Sequence, residues 1–523
     1  MPRGGDSPAE PAHEEHGASD GAGAGIGIGM GVGIGARGRA APEPAEGFEA
    51  VRGGATLVEQ IAAWHVARIE SRALRAGSRL ASIRRFAAEH GVSRFTVVEA
   101  YDRLMARGYV EAHRGRGFYV RAQGSAAVVR RGAGRSAGLG ADPSATPLDV
   151  GWLLGAAAGE LPAADMPGAG TLPLAWLDGA AVRAALRAVA AESGGAMSAY
   201  GAPQGFGPLR EQLAGAMAAW GVPVSADQLV TTCGVTQALD LVAQHFLVRG
   251  DAVLVDDPGW YLLFARLARL GVRVVGVPRR ADGPDLGQLS ELAARHAPKL
   301  LFTSAVLHNP TGTTTSPAVA HALLRAADAF GFRVVEDDVW GELHPDGGQA
   351  LRLAALDGLR RVVYLGGASK TLAPGLRVGW IACDAPLARA LTDHKMLVGL
   401  ATPEAGERVV HRLLAGGGHR RHLERLRARL AAARPAALAA LASAGVAQPA
   451  SSSAQGLFVW ADTGVDTAAL ARALLERGLL AAPGALFSPG QRPSTWMRFN
   501  VAACDNARLQ SELSRALSGA RAP

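Results

Sequence analysis

Seven short apolar runs, at 229–232, 252–255, 272–277, 300–303, 333–336, 362–365 and 379–382, alternate with helix-forming patterns over the chain that follows Asp149. Apolar runs of this length read as strands buried on both faces. Strands joined through helices pair in parallel, so the alternation predicts an α/β domain whose mostly parallel sheet is covered on both sides. In such a sheet ligands bind beyond the carboxyl ends of the strands. The segments that follow the runs are therefore where chemistry is expected.

The run at 362–365 leads into Gly366-Gly367-Ala368-Ser369-Lys370-Thr371-Leu372-Ala373-Pro374-Gly375-Leu376-Arg377. A lysine among small residues just past a strand directs its amine into a cleft, where burial lowers the pKa and makes the amine nucleophilic. Arg377 grips a phosphate as a charge-assisted fork while Lys370 forms a Schiff base with an aldehyde. The pair describes a pyridoxal phosphate site; the bland alternative is a lysine snorkelling from a surface turn. After the first run, Thr232-Cys233-Gly234-Val235-Thr236-Gln237 opens a helix. The free N–H groups of such a turn face an anion, which assigns Val235, Thr236 and Gln237 to the phosphate. Trp260, in Asp257-Pro258-Gly259-Trp260-Tyr261, either stacks on a pyridine ring or is a plain core aromatic. Glu336-Asp337-Asp338 ends another run, and a carboxylate there keeps a pyridine nitrogen protonated, which makes the ring an electron sink.

Ser369-Lys370 through Pro374-Gly375-Leu376-Arg377-Val378-Gly379 resembles the S-K-x-x-x-P-G-L-R-x-G motif of fold-type I, aspartate aminotransferase-like pyridoxal phosphate enzymes. The resemblance implies a catalytic Lys370 with Ser369 beside it on the cofactor. It selects Asp337 over Asp338, and puts Trp260 where the family usually has its stacking tyrosine. His308-Asn309-Pro310-Thr311-Gly312 resembles the family's N-P-x-G turn, which gives Asn309 the ring hydroxyl. Tyr200-Gly201-Ala202-Pro203-Gln204-Gly205 resembles the segment whose tyrosine reaches the phosphate of a neighbouring subunit, which implies a homodimer. Met497-Arg498-Phe499-Asn500 matches the strand whose arginine holds a substrate α-carboxylate, the role expected of Arg498. One position departs from the pattern: Val339-Trp340 stand where a tyrosine is expected. An indole N–H donates a hydrogen bond but lacks a phenol's acid–base behaviour, so transamination is expected to be weak.

At 523 residues the chain exceeds one compact core, so several domains are expected. Residues 1–50 form a low-complexity tail, 51–121 a small basic domain, 122–147 a Gly, Ala, Ser and Pro-rich flexible linker, and 148–523 the α/β domain. Residues 52–121 hold 13 Arg, no Lys and 6 Asp or Glu, so nearly all of the net charge of +8 lies there and points to a polyanionic partner. Cys233, Cys383 and Cys504 have neither disulfide-framework nor metal spacing and read as packing residues. No segment reads as a signal peptide or membrane span, so a cytoplasmic location and no membrane partner are expected. The Arg- and His-rich stretch 419–429 reads as a solvated helical face.

Within the basic domain, Leu57, Ile61, Trp64 and Ile69 repeat at helical spacing up to Gly77, residues 82–90 suggest a second helix, and Ser93 caps a third over 94–107. Residues 109–120 read as two short strands around a basic glycine turn. Three helices and a hairpin describe a winged helix-turn-helix. Its third helix presents Ser93, Arg94 and Thr96 to the major groove of double-stranded DNA, with Arg84 on phosphate and Arg114 and Arg116 of the wing on backbone or minor groove. Leu80-Ala81-Ser82-Ile83-Arg84, Gly91-Val92-Ser93-Arg94-Phe95-Thr96-Val97 and Ala100-Tyr101-Asp102-Arg103-Leu104 resemble the GntR family of bacterial regulators, with Ala81 in place of the usual proline. The two resemblances in this order are similar to the MocR/GabR family of transcription regulators. That implies a multidomain protein, a winged helix-turn-helix plus an α/β fold-type I aminotransferase-like domain, in which an amine or amino-acid effector acts on bound pyridoxal phosphate and the DNA-binding heads respond. The alternative is a working aminotransferase with a DNA-binding appendage.

Overall fold

The computed structural model describes residues 48, 50, 55–71, 73–113, 116–121, 161–192, 198–447, 449 and 451–521. The chain divides into two compact units, residues 1–139 and 140–523. The expected linker at 122–147 and residues 1–47 of the expected tail lie outside the described residues.

In the first unit, α1 (Leu57–Glu70) begins at a reciprocal cap, with Thr56 Oγ1 accepting from the Glu59 N–H and Glu59 Oε2 accepting from the Thr56 N–H. It stops at Glu70 rather than at Gly77, because the backbone beyond is needed elsewhere. The Gly77 N–H donates to the Val120 carbonyl and the Leu80 N–H to that of Phe118. Helix α2 (Ile83–Glu89) is capped by Ser82 and α3 (Arg94–Ala106) by Ser93. Strands β1 (Val110–His113) and β2 (Gly117–Val120) pair antiparallel, with Val110 opposite Val120. Ile61, Phe86, Val97, Tyr101, Leu104 and Val120 form the core. Phe48, assigned by the sequence to the tail, is buried edge-on to Trp64 and beside Phe86. At position 81, where proline was expected, the alanine carbonyl accepts from Tyr101 Oη at 2.9 Å, which ties the start of α2 to α3.

The second unit is built on a sheet of eight strands: β3 (Leu229–Thr232), β4 (Ala252–Asp257), β5 (Arg273–Arg280), β6 (Gly283–Pro284), β7 (Leu300–Thr303), β8 (Arg333–Asp337), β9 (Val362–Gly367) and β10 (Gly379–Ala382). Their order is β3-β10-β9-β8-β7-β4-β5-β6, parallel from β9 through β5, with β10 antiparallel to both neighbours. Period-two alternation splits the strands between two cores. Leu254, Leu301, Val334, Val362 and Tyr364 face one layer of helices, while Val253, Val255, Phe302, Val335, Val363 and Leu365 face the other. A second, antiparallel sheet in the order β11-β13-β12 comes from β11 (Phe458–Asp462), β12 (Ala482–Pro483) and β13 (Trp496–Asn500); only the last was foreseen.

The helix Gly418–Ser443 corrects the reading of 419–429 as a solvated face. His422, Leu423, Leu426 and Leu430 are buried, and His422 Nε2 lies 2.8 Å from the Thr371 carbonyl. Arg420, Arg421, Arg425 and Arg429 are exposed on its outer side and disguise the apolar stripe.

Ser93 Oγ accepts from the Thr96 N–H at 3.0 Å, so Ser93→Ala removes one cap and costs α3 about 1 kcal/mol. Hydrogen–deuterium exchange of the α3 amides in the intact chain is expected to speed up roughly fivefold. Unchanged exchange assigns the stability of α3 to its buried face alone.

Candidate functional site

The carboxyl ends of β3, β4, β7, β8 and β9 converge on a cavity of about 290 Å³, closed on its far side by residues 168–171 and by Arg498 of β13. Lys370 enters this cavity from the turn after β9, which is held by the Ala368 N–H to Val378 carbonyl bond and the Leu372 N–H to Ala368 carbonyl bond. Its Nζ donates to the Gly170 carbonyl at 2.7 Å and lies 5.0 Å from the centre of the Trp340 ring. Burial, then the Arg498 charge, bring its pKa down to about 8; Asp337 opposes the shift and Arg377 adds to it. Lys370 is one of three lysines in the chain, with Lys299 and Lys395.

At one end of the cavity, Gly234 (φ +74°) precedes the helix Val235–Phe246. A Cβ at position 234 would stand 2.5 Å from Arg377 Nη2, so only glycine lets the guanidinium lie over this turn. Arg377 donates to Ser369 Oγ at 3.2 Å and to the Cys233 carbonyl at 3.1 Å. Val235, Thr236, Ser369 and Arg377 line the cavity. The first-turn N–H groups of a helix have no carbonyl partner within it and are open to an anion. Gln237 does not join them. Its Oε1 accepts from the Cys233 N–H at 2.6 Å and its own N–H donates to the Gly234 carbonyl, so it braces the turn instead.

At the other end stands Asp337, whose buried Oδ1 has no partner among the described residues. Burial pushes its pKa up to about 7, against the Val339 N–H and the Lys370 charge, with Asp338 adding to the rise. Asp338 turns the opposite way and accepts from Arg352 Nε at 2.5 Å and from Tyr364 Oη at 2.7 Å. Asn309 Oδ1 accepts from Arg498 Nη1 at 2.7 Å, and Arg498 Nη2 donates to the Gly168 carbonyl. The Arg498 guanidinium lies over the Phe458 ring, and its Nε is buried without a partner among the described residues. Trp260 and Trp340 also line the cavity. An orphaned carboxylate, an amine with a lowered pKa and an anion-binding turn fit pyridoxal phosphate: a pyridinium N–H, an aldehyde and a phosphate each meet a matching group. Tyr200 lies outside the cavity and is 86% exposed.

Sequence reasoning missed the strap at 167–171. It is irregular and Gly-rich, so no periodicity announces it. Asn500, inside the recognised Arg498 motif, holds it: its N–H donates to the Pro167 carbonyl, and its Nδ2 to those of Ala169 and Thr171. Behind Asn309, Asp256 gathers Arg279, His308 and Thr303 in a buried cluster that was also unforeseen.

In the winged unit, Arg84, Arg94 and Arg116 are exposed and make no ion pair among the described residues, whereas Arg85 pairs with Glu89 and Arg103 with Glu59 and Glu99. Ser93 and Thr96 spend their hydroxyls on each other, 2.8 Å apart. Phe95, beside Arg94 on the first turn of α3, is 78% exposed and was not singled out. Arg114 lies outside the described residues. No cluster with metal-ligating geometry occurs among the described residues, and no helix there is long and apolar enough to cross a membrane.

A lysine whose pKa is lowered on folding destabilises the fold fully below its folded pKa, and the cost vanishes above its unfolded pKa. Lys370→Met in the cofactor-free chain is therefore expected to raise the melting temperature at pH 7. The gain should shrink as pH rises from about 8 and be gone near 10.5. A gain that does not vary with pH would trace it to packing alone.

Residues 168–515 match the family described as aminotransferase class I and II, and residues 57–120 match the bacterial regulatory proteins of the gntR family. The uncharacterized HTH-type transcriptional regulator YdcR of Escherichia coli (strain K12) is 29% identical over 446 residues, covering 82% of this chain and 91% of that protein. The 2-aminoadipate transaminase of Thermus thermophilus is 32% identical over 340 residues, covering 63% and 83%. Among solved structures, LysN, the α-aminoadipate aminotransferase of Thermus thermophilus in complex with N-(5'-phosphopyridoxyl)-L-leucine, superposes with a TM-score of 0.64 at 29% identity, covering 71% of this chain and 94% of that one. The kynurenine aminotransferase of Pyrococcus horikoshii, in complex with PMP, gives 0.65 at 26% identity, covering 71% and 94%. The chain thus belongs to the aminotransferase class I and II family and carries ahead of that fold a gntR-type winged helix, the arrangement of MocR-type regulators.

Proposed function

We propose that this chain is a DNA-binding transcriptional regulator whose aminotransferase-like unit senses an amine or amino acid through pyridoxal phosphate. The observation that carries the reading is a pairing within one chain. Lys370, Asp337 and Arg377 converge on one cavity, and a winged helix presents three arginines without carboxylate partners among the described residues. When bound, pyridoxal phosphate supplies an aldehyde for an incoming amine and an electron-withdrawing ring.

The chain's own groups divide the work. Arg377, Ser369 and the first-turn N–H groups of Val235 and Thr236 hold the phosphate, and Gln237 keeps that turn in shape. Asp337 holds a proton on the ring nitrogen, Asn309 donates to the ring oxygen, and Trp260 covers the ring. Lys370 is the catalytic amine, and its lowered pKa would leave it free to hold the cofactor's aldehyde carbon, the atom for which an effector amine would compete. Arg498 takes an α-carboxylate through a bidentate contact, and its burial over Phe458 keeps water from competing. Trp340 turns its ring face toward the Lys370 amine, and an indole cannot take up a proton as a phenolate does. That favours a sensor over a working transaminase. Tyr200 and the exposed Leu397, Val398 and Leu400 suit burial against a second copy, which supports a homodimer in the cytoplasm, where the DNA lies. Arg84 meets phosphate and Arg94 meets base edges, with Arg114 and Arg116 of the wing on backbone or minor groove. Effector binding acts by favouring one arrangement of the heads, as far as its affinity differs between the two.

DNA affinity of the cofactor-loaded protein is expected to fall steeply with salt. Arg94→Ala should lose about 1–3 kcal/mol of discrimination between operator-containing and random DNA. Competition binding at two salt concentrations measures both, and a salt-independent affinity removes the regulator reading.

Single-turnover absorbance with candidate amino acids tests the sensor. The wild type is expected to convert slowly to the aminated cofactor and Trp340→Tyr faster, while Lys370→Ala retains no cofactor after borohydride. Rapid wild-type conversion that the tyrosine does not improve restores the aminotransferase reading.

A further inference from the structure

A larger cavity, of about 640 Å³, lies behind the Lys370 turn and shares no lining residue with the cofactor cavity. Its size suits a small molecule. The helices Gly207–Ala219, Glu404–Ala415 and Gly418–Ser443 contribute to its walls, together with Trp220, Trp380 and Leu372. The lining is mostly apolar, and Thr371, His419 and Arg427 among its polar groups are bonded to Glu342.

The polar groups are unevenly satisfied. Glu342 is committed: its carboxylate takes His419 Nε2 at 3.0 Å and the Thr371 hydroxyl at 2.9 Å. Glu424 pairs with Arg420, and Asp346 is a rim residue with its side chain 75% exposed near His344. Arg427 donates Nε to the Glu342 carbonyl at 2.9 Å, yet it forms no ion pair and its terminal nitrogens have no acceptor among the described residues. Trp380 Nε1 and His419 Nδ1 are buried without partners among the described residues. The Arg427 guanidinium, which pairs with no carboxylate among the described residues, and the buried Trp380 N–H are donors short of an acceptor, which suits an acceptor-rich, anionic head.

We infer that this cavity is a second small-molecule site, which takes an organic acid with an apolar body of ring size, its carboxylate on Arg427 and its body against Trp220, Trp380 and Leu423. The site is coupled to the first. Thr371 and Leu372 line it and adjoin Lys370 in the same turn, and Thr371 is bonded to Glu342 and His422. An acid drawn to Arg427 bears, through Glu342 and Thr371, on the turn that aims the Lys370 amine. The inference does not depend on amine sensing, since a chain that responds to no amine still binds the acid.

Calorimetric titration of the cofactor-loaded full chain with indole-3-acetate, and with its neutral amide as control, tests this. Saturable binding is expected for the acid, roughly tenfold weaker for the amide and for Arg427→Gln. Ala216→Phe, which fills the cavity from the helix Gly207–Ala219, should abolish binding while keeping the cofactor's absorbance, and Arg498→Ala should leave binding intact. The acid should also shift the cofactor absorbance in the wild type and, at the same concentration, far less in Arg427→Gln. No saturable binding at millimolar acid overturns the inference, as does binding that is lost with Arg498→Ala and kept with Arg427→Gln, which puts the acid in the cofactor cavity. A change of assembly state in Ala216→Phe, seen by sedimentation, assigns the cavity to a side chain of a second copy. Binding that leaves the absorbance unchanged overturns the link to Lys370.

Discussion

Three consecutive carboxylates end β8, and the architecture around the cavity depends on sending each to a different destination. Packed side by side in an apolar interior, three negative charges could not all be retained. Glu336 turns back and accepts the N–H groups of Leu353 and Ala354 at 2.8 Å each, capping the short helix Leu353–Asp357. Burial, and Asp338 next to it, nonetheless push its pKa up to about 7. Asp338 is neutralised by Arg352, which is itself buried and packed over the Trp220 ring. Asp338 also keeps one unpartnered oxygen, but of the three acids only Asp337 lines the cavity. Arg352 and the helix cap thus fix which acid of the trio meets a ligand, although neither touches the cavity.

The same economy governs the opposite wall. Arg498 is buried by two aromatic rings, anchored to Asn309 and to the strap, and reinforced two residues on by Asn500. The strap in turn supplies the carbonyl that Lys370 contacts. Strap, lysine, arginine and asparagine form one connected set, so displacement of any member is felt by the others.

Much of this was legible in the chain, for reasons that differ by element. The buried strands declared themselves because both faces are covered, which leaves uninterrupted apolar runs such as Leu300–Thr303 and Gly379–Ala382. Lys370, Asn309 and Arg498 were legible through motifs in which a strand end, a proline or a glycine fixes the local backbone. What stayed hidden was set by tertiary packing. The strap is held by side chains from more than 300 residues away. The brace role of Gln237 depends on which way one amide turns, and the arginines of the helix Gly418–Ser443 masked its buried leucines. In the winged unit the end of α1 was misjudged because the pairing of Gly77 and Leu80 with β2 is invisible in a local pattern.

The chain's basic residues are almost all arginines, with lysines only at 299, 370 and 395. Lys395 is sealed inside the fold against Thr402 and the hydroxyl of Thr231. A guanidinium stays protonated in water and does not condense with aldehydes as a neutral amine does. A protein that keeps a reactive aldehyde thereby exposes few side chains to stray carbonyl adducts, and the winged unit, with arginines and no lysine over residues 52–121, offers no side-chain amine to them.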